Sequence, residues 1–298
     1  MTPARQTKTR GRRASLRASL DCATAFQKIA FDCVAQVKAN RDGAIAGDPE
    51  AVHQMRVALT RLRAAVSFFA PVTVDTKWRH LKKEIAWLNA WLGAARDSDV
   101  MVEFSRRGRY RAWADVAIGA DLDRRRARDH RQVVRCLRSA RTRRLTAALS
   151  VWTKRGPWLL RWEVAARRGD VEPLQVYCER ELDRWRERLI RNGRQLSTMN
   201  GARRHRLRIR AKRFRYMLEA STDIVAMWSR AELRYTQSAA KRLQRTLGDL
   251  RDFKRFAGLS RSDARQDKTR PPGYRRQRDK LRGAAVRAWR DLKRASAR

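Results

Sequence analysis

The chain has 298 residues, and 72 Lys and Arg against 30 Asp and Glu give a formal net charge of +42 at pH 7. That length supports one large or two ordinary domains with a sizeable core, and the charge points to a polyanionic partner because a compact body so charged repels itself. Ten Trp and 43% apolar residues exclude a wholly disordered basic tail.

Residues 1–20 carry several basic side chains and no acid, so a disordered basic arm is predicted there. The Arg12-Arg13 pair is not followed by an apolar run of signal-peptide length. The longest charge-free stretch, Ala64 to Val74, contains Pro71 and is too short to span a bilayer. A soluble, cytoplasmic protein with no membrane partner is expected. Cys22, Cys33, Cys136 and Cys178 show no CxxC spacing and read as buried thiols of a reducing compartment.

Beyond the arm, apolar residues recur at helical spacing and no segment alternates long enough for a sheet, so the fold is predicted all-α. Helices are expected over 22–41, 50–70, 75–93, 110–154, 172–198, 201–220, 229–248 and 274–296. Leu81, Ile85, Leu88 and Leu92 form one stripe, which Gly93 is expected to end in a left-handed conformation. Val133, Leu137, Leu145, Leu149 and Trp152 form another along a long basic helix. Breaks fall near 155–157, 169–173 and 260–273; the last, with Pro271-Pro272-Gly273, reads as an exposed loop.

The chain also repeats itself. HQMRVALTRLR begins at His53 and HRLRIRAKRFR at His205, an offset of 152; LGAARD at 92–97 and LGDLRD at 247–252 are offset by 155. Two unrelated motifs in the same order at nearly equal offsets indicate duplication. The predicted organisation is the arm over 1–20, a first repeat over 21–165 and a second over 166–298. Each repeat is expected to be a four-helix unit, the pair related by approximate two-fold symmetry. In the LG…RD element, Gly248 is expected to end its helix as Gly93 does. Asp97 and Asp252 either cap a following helix or pair with a neighbouring Arg.

On a helical wheel, Val52, Met55, Leu59, Leu62 and Val66 share one face. His53, Arg56, Thr60 and Arg63 run along its border at i, i+3, i+7 and i+10. In the second copy Leu207, Ala211, Phe214 and Leu218 make the apolar face, and His205, Arg208, Lys212 and Arg215 take the same border positions. Eight of the thirteen residues from Arg203 to Arg215 are basic and none is acidic. Like charges so close destabilise a helix by ~0.2–0.5 kcal/mol per pair unless an anion lies between them. A row of Arg and Lys at one-turn intervals suits a ligand with regularly spaced phosphates, Arg as a bidentate fork and Lys as a point charge. A run of solvated surface charge is the competing reading, weakened by its recurrence beside a His.

The two histidines are read as phosphate donors or as helix-start caps. No HxxxH or HxxE spacing supplies further ligands, so no metal and no cofactor are expected. His80 and His130 have no counterpart in the repeat. No Lys and carboxylate pair is placed for phosphate chemistry, so the chain is not read as an enzyme.

VHQMRVALTRLRAA at 52–65 and HRLRIRAKRFRYMLE at 205–219 resemble the CHAD family, the conserved-histidine α-helical domain. LGAARDSDV at 92–100 and KRLQRTLGDLRD at 241–252 resemble its second signature, and the likeness covers roughly 21–298. The resemblance implies two four-helix bundles around a basic groove or pore that binds inorganic polyphosphate. It also implies an association with polyphosphate granules. His53, Arg56 and Arg63 match the first motif; His205, Arg208, Lys212 and Arg215 match the second, and Lys241 matches the lysine before the second LG. Thr60 departs from the pattern, standing where a basic residue is expected. Family members are found fused to a triphosphate tunnel enzyme, whose acidic metal-binding strands have no candidate here. The expected function is therefore non-catalytic polyphosphate binding. The rival is a basic protein that binds nucleic acid nonspecifically, since such a charge attracts any polyanion at low salt.

Overall fold

A computed structural model describes residues 16–107, 116–259 and 273–295, and every described element is helical. In chain order the helices are α1 Cys22–Ala39, α2 Arg41–Ile45, α3 Pro49–Phe68, α4 Ala70–Thr73, α5 Thr76–Arg106 and α6 Val116–Arg138. They continue with α7 Ala140–Arg155, α8 Pro157–Arg167, α9 Leu174–Gly193, α10 Gly201–Ala220, α11 Arg230–Leu259 and α12 Tyr274–Arg294. None of the described helices is long and apolar enough to cross a membrane.

Several boundaries differ from the expected ones for local reasons. The single helix expected over 110–154 is interrupted at Ser139, whose extended backbone and hydroxyl cap α7 by accepting from the Thr142 N–H at 3.2 Å. Gly93 and Gly248 do not end their helices. Neither has positive φ, and α5 and α11 run on to Arg106 and Leu259. A mid-helix Gly costs about 1 kcal/mol against Ala, and the buried Leu92, Ala95, Leu247 and Leu250 around the two sites outweigh it. The helix α8, begun by Pro157, lies between two expected breaks. The expected loop at 260–272 and the arm as far as residue 15 lie outside the described residues; Leu16, placed in the arm by sequence, is fully buried.

The chain divides into two compact units. Among described residues the first holds Cys22–Arg96 and Asp129–Val171, and the second Leu16–Asp21, Asp97–Arg128 and Glu172–Ala295. The changeovers fall between Asp21 and Cys22, inside α5, inside α6 and between Val171 and Glu172.

In the first unit α1 packs against α3 and α7, and α8 packs against α4 and α7. Its core is aromatic. Phe26 meets Phe69, Trp152 and Trp158 edge-on at 6.1, 5.8 and 5.0 Å, and Trp78 stacks on Trp152 at 5.1 Å. Two of the indoles also donate: Trp152 to Asp75 Oδ2 at 3.1 Å and Trp158 to the Trp152 carbonyl at 2.9 Å. Burial of a large apolar side chain contributes about 1.5–3 kcal/mol, so this cluster anchors the unit. A Cβ on Gly156 would stand 2.5 Å from the Trp158 ring, which is why glycine joins α7 to α8.

In the second unit α11 packs against α10 and α12, and α9 packs against the same two, closing a ring of four helices. A further cluster gathers Met101, Val102, Phe104, Ile118 and Leu122 from α5 and α6 around Phe253 and Phe256 of α11. Trp289 of α12 donates to the Ile190 carbonyl at 3.1 Å, and a Cβ on Gly193 would lie 2.2 Å from its ring nitrogen. Only glycine lets α9 and α12 approach there.

All four cysteines are buried. Burial pushes the thiols of Cys33 and Cys178 up to about 12, which keeps them protonated.

Candidate functional site

The two His-bearing motifs form equivalent helices. Both α3 and α10 have 20 residues and a side-chain cap: Asp48 accepts from the Glu50 N–H at 2.8 Å, and Asn200 from the Arg203 N–H at 2.9 Å. The apolar faces expected for each are buried throughout, from Val52 to Val66 and from Leu207 to Leu218. The borders of those faces carry the stripes.

On α3, in the first unit, His53, Arg56 and Arg63 are half-buried. Arg56 Nη1 donates to the carbonyl of Gly93 on α5 at 3.2 Å. Thr60 turns its hydroxyl back onto the Arg56 carbonyl at 2.7 Å and so adds neither charge nor an outward donor.

On α10, in the second unit, His205 is exposed and Arg208 half-buried. They lie in a cluster with Arg251, Asp252 and Arg255 of α11 and Asp97 of α5. Asp97 Oδ2 accepts from Arg251 at 2.9 Å and from Arg255. This answers the alternatives for the LG…RD element: Asp97 pairs across 154 residues of sequence and sits inside a continuing helix rather than capping one. Nearby, the buried Asp99 accepts from Arg126 Nε at 2.8 Å.

In the cluster the repulsion of a neighbouring guanidinium group, at Arg208 and at His205, exceeds the attraction of either carboxylate, Asp97 or Asp252. Burial, and then the neighbouring Arg251, hold Arg208 below the ordinary guanidinium value. Partial desolvation followed by Arg208 and Arg251 likewise holds His205 below the ordinary imidazole value. Asp252 is pushed up by burial, which outweighs the attraction of Arg251 and Arg208. The buried Nε of Arg208 has no hydrogen-bond partner among the described residues. A buried donor without an acceptor costs about 1–3 kcal/mol, and an anion reaching it would recover that.

The other members of the second stripe are engaged differently. Arg215 is largely buried, donates to Gln244 at 2.7 Å and Glu219 at 2.6 Å, and lies over the Tyr216 ring at 4.7 Å. Although the run from Arg203 to Arg215 holds no acid, Arg215 is therefore neutralised within its own helix. Its partner Glu219 lies one turn beyond the acid-free run. Lys212 stands over the same ring at 5.5 Å, and Lys241 is exposed on α11. The second unit thus brings His205 and Arg208 together with Arg251 and Arg255, two residues that stripe spacing on α10 alone does not find. The sequence signal for Arg251 is the repeated RD after LG; Arg255 lies beyond it.

Among the described residues no group of three or more His, Cys, Asp or Glu is arranged to hold a metal ion. What the cluster offers chemically is a set of guanidinium donors and an imidazole for an anion with several oxygens.

Known proteins place the chain. The family model for the CHAD domain matches residues 28–261. Among solved structures, the CHAD domain from the plant Ricinus communis is similar over 97% of this chain and 97% of its own, with 25% identity and a TM-score of 0.73. PptA from Streptomyces chartreusis shares the fold over 93% of this chain and 98% of its own, with 18% identity and a TM-score of 0.59. No curated protein matches.

Proposed function

Because the chain belongs to the CHAD domain family, we propose that it binds inorganic polyphosphate along the basic faces of α3 and α10 and does not turn it over. The observation that carries this reading is the cluster of His205, Arg208, Arg251 and Arg255. Guanidinium repulsion at Arg208 exceeds the attraction of either carboxylate, and the buried Nε of Arg208 has no acceptor among the described residues. A chain of phosphates supplies several charged oxygens at short, regular intervals, which matches guanidinium forks set along helices. His53, Arg56 and Arg63 supply a shorter second track, and Lys212 and Lys241 supply point charges. Arg215 has the different role of holding α10 to α11 through Gln244. Binding of this kind would recruit the protein to cytoplasmic polyphosphate granules.

The test is titration of long-chain polyphosphate into the purified protein, with Mg²⁺ or Mn²⁺ present and released phosphate followed in the same samples. Saturable binding without release is expected, and ATP is expected to remain intact as well. Sustained release that tracks the protein and is lost in an Arg208→Ala variant would overturn the binding-module reading. The rival, nonspecific nucleic-acid binding, draws on the +42 net charge alone.

A further inference from the structure

We propose that the second unit carries another anion site, for compact oligophosphates of the tripolyphosphate class, in the groove between α11 and α12. The groove encloses about 460 Å³, within the usual range for small-ligand sites. Its walls carry Arg242 and Arg245 from α11 and Arg287, Arg290 and Arg294 from α12. The one acid lining it, Asp291, pairs with Arg242 at 3.3 Å. Five guanidinium groups facing one carboxylate leave an excess of four positive charges. Arg245, Arg287, Arg290 and Arg294 form no ion pair among the described residues. Thr246, Ala284 and Ala288 lie between these arginines and leave room.

The site stands apart from the α10 stripe. At 100° per residue, Arg242, Arg245 and Thr246 centre on a face of α11 roughly 150° from the one carrying Gln244, Arg251 and Arg255. The latter face serves Arg215 and Asp97. Arg287 and Arg290 also line an adjoining hollow of about 370 Å³ that reaches Arg282, Ser197 and Asp279, the last paired with Arg278, so three arginines against one acid continue the track along α12.

The lining also selects among phosphates. It has no aromatic ring on which a base could stack. Guanidinium forks bind phosphate oxygens in bidentate fashion and hold a cluster of them better than one isolated oxyanion. Adjacent phosphates on a short chain satisfy that geometry; a single phosphate reaches only part of it. The inference rests on the groove's own residues and does not require the α10 stripe to bind anything.

The experiment is calorimetric titration of tripolyphosphate, and separately of long-chain polyphosphate, into the full chain. Wild type, Arg287→Ala with Arg290→Ala, and Arg208→Ala are compared. The groove variant is expected to weaken tripolyphosphate by about tenfold or more, one lost charged contact or more, and long-chain binding by less than about threefold. Arg208→Ala is expected to give the reverse pattern. Should the double variant melt at a lower temperature, Arg290→Lys, which keeps the charge and loses the fork, is expected to weaken tripolyphosphate with the fold intact. Unchanged tripolyphosphate binding in the groove variants would overturn the proposal. So would equal competition by inorganic phosphate at matched ionic strength, or a larger loss of duplex DNA than of tripolyphosphate. Unchanged long-chain binding in Arg208→Ala, with tripolyphosphate still weakened in the groove variant, would count against the stripe and support the groove.

Discussion

Exchanging Arg208 and Lys212 for Glu is expected to weaken long-chain polyphosphate binding by about a hundredfold. A hydrogen bond to a charged group contributes about 1.5–3 kcal/mol, and 1.4 kcal/mol is a factor of ten. Losing two such contacts therefore removes at least two orders of magnitude, and the reversed charges add repulsion. Arg208 contributes most because its buried Nε has no acceptor of its own among the described residues. The matching exchange on α3, Arg56→Glu with Arg63→Glu, is expected to cost about tenfold. There Arg56 already holds the Gly93 carbonyl and Thr60 bonds to its own helix, so the first track has fewer donors to lose. Arg215 is left alone because its removal would take an ion-pair partner from the partly buried Glu219 and confuse binding with folding. Calorimetry gives the affinities, circular dichroism reports the helix content, and Lys212→Glu alone serves where the double variant is unstable. If both variants bind like wild type while folded, the stripes are ordinary solvated charge.

Asp97→Asn is expected to act in opposite directions on stability and binding. Asp97 is the shared acceptor for Arg251 and Arg255, and with its charge gone the cluster of Arg208, Arg251, Arg255 and His205 loses the carboxylate that both arginines hold. Breaking a fully buried pair costs about 3–5 kcal/mol. Here the arginine side chains are 32% exposed and that of Asp97 20%, so solvent screening reduces the expected loss to about 1–3 kcal/mol. The same change releases two guanidinium groups toward a bound anion. The melting temperature of the free variant should therefore fall by several degrees, while polyphosphate raises it by more than it raises wild type. A variant as stable as wild type, or one stabilised less by ligand, would show that Asp97 does not hold the cluster in check.

Much of this was open to reading along the chain, because helical periodicity is local. Every apolar residue assigned to the faces of α3 and α10 is buried, and the repeated His motif lies on a capped 20-residue helix in both copies. The failures came where local rules met tertiary context. Gly93 and Gly248 look like helix ends, yet flanking leucines and alanines packed in the core carry both helices through them. Ser139 was hidden by a continuous apolar period, although a serine ready to cap is reason enough to divide the helix. The repeated RD marks both Asp97 and Arg251, but that the two pair across 154 residues is set by the fold and not by either neighbourhood. The groove on α12 did have a signal: Arg287, Arg290 and Arg294 stand at i, i+3 and i+7, the same one-turn spacing as the His stripes. Spacing alone does not set it apart, since Arg128, Arg131 and Arg135 on α6 share it; the recurrence of the His motif was what set the other stripes apart from a solvated surface.

The central claim is that named helix positions, rather than bulk charge, hold polyphosphate. The most direct measurement is release of labelled long-chain polyphosphate and labelled duplex DNA from the protein as salt is raised through the physiological range. Counterion release weakens both complexes, but oxygens seated on Arg208 and its neighbours gain directed bonds that a rod of duplex touching the exterior does not. The predicted result is that polyphosphate stays bound at salt concentrations that release DNA, and that Arg208→Glu with Lys212→Glu removes most of the difference. If the two ligands leave at the same salt concentration and the variant weakens both alike, the protein is a general polyanion binder and the claim of a specific site is wrong.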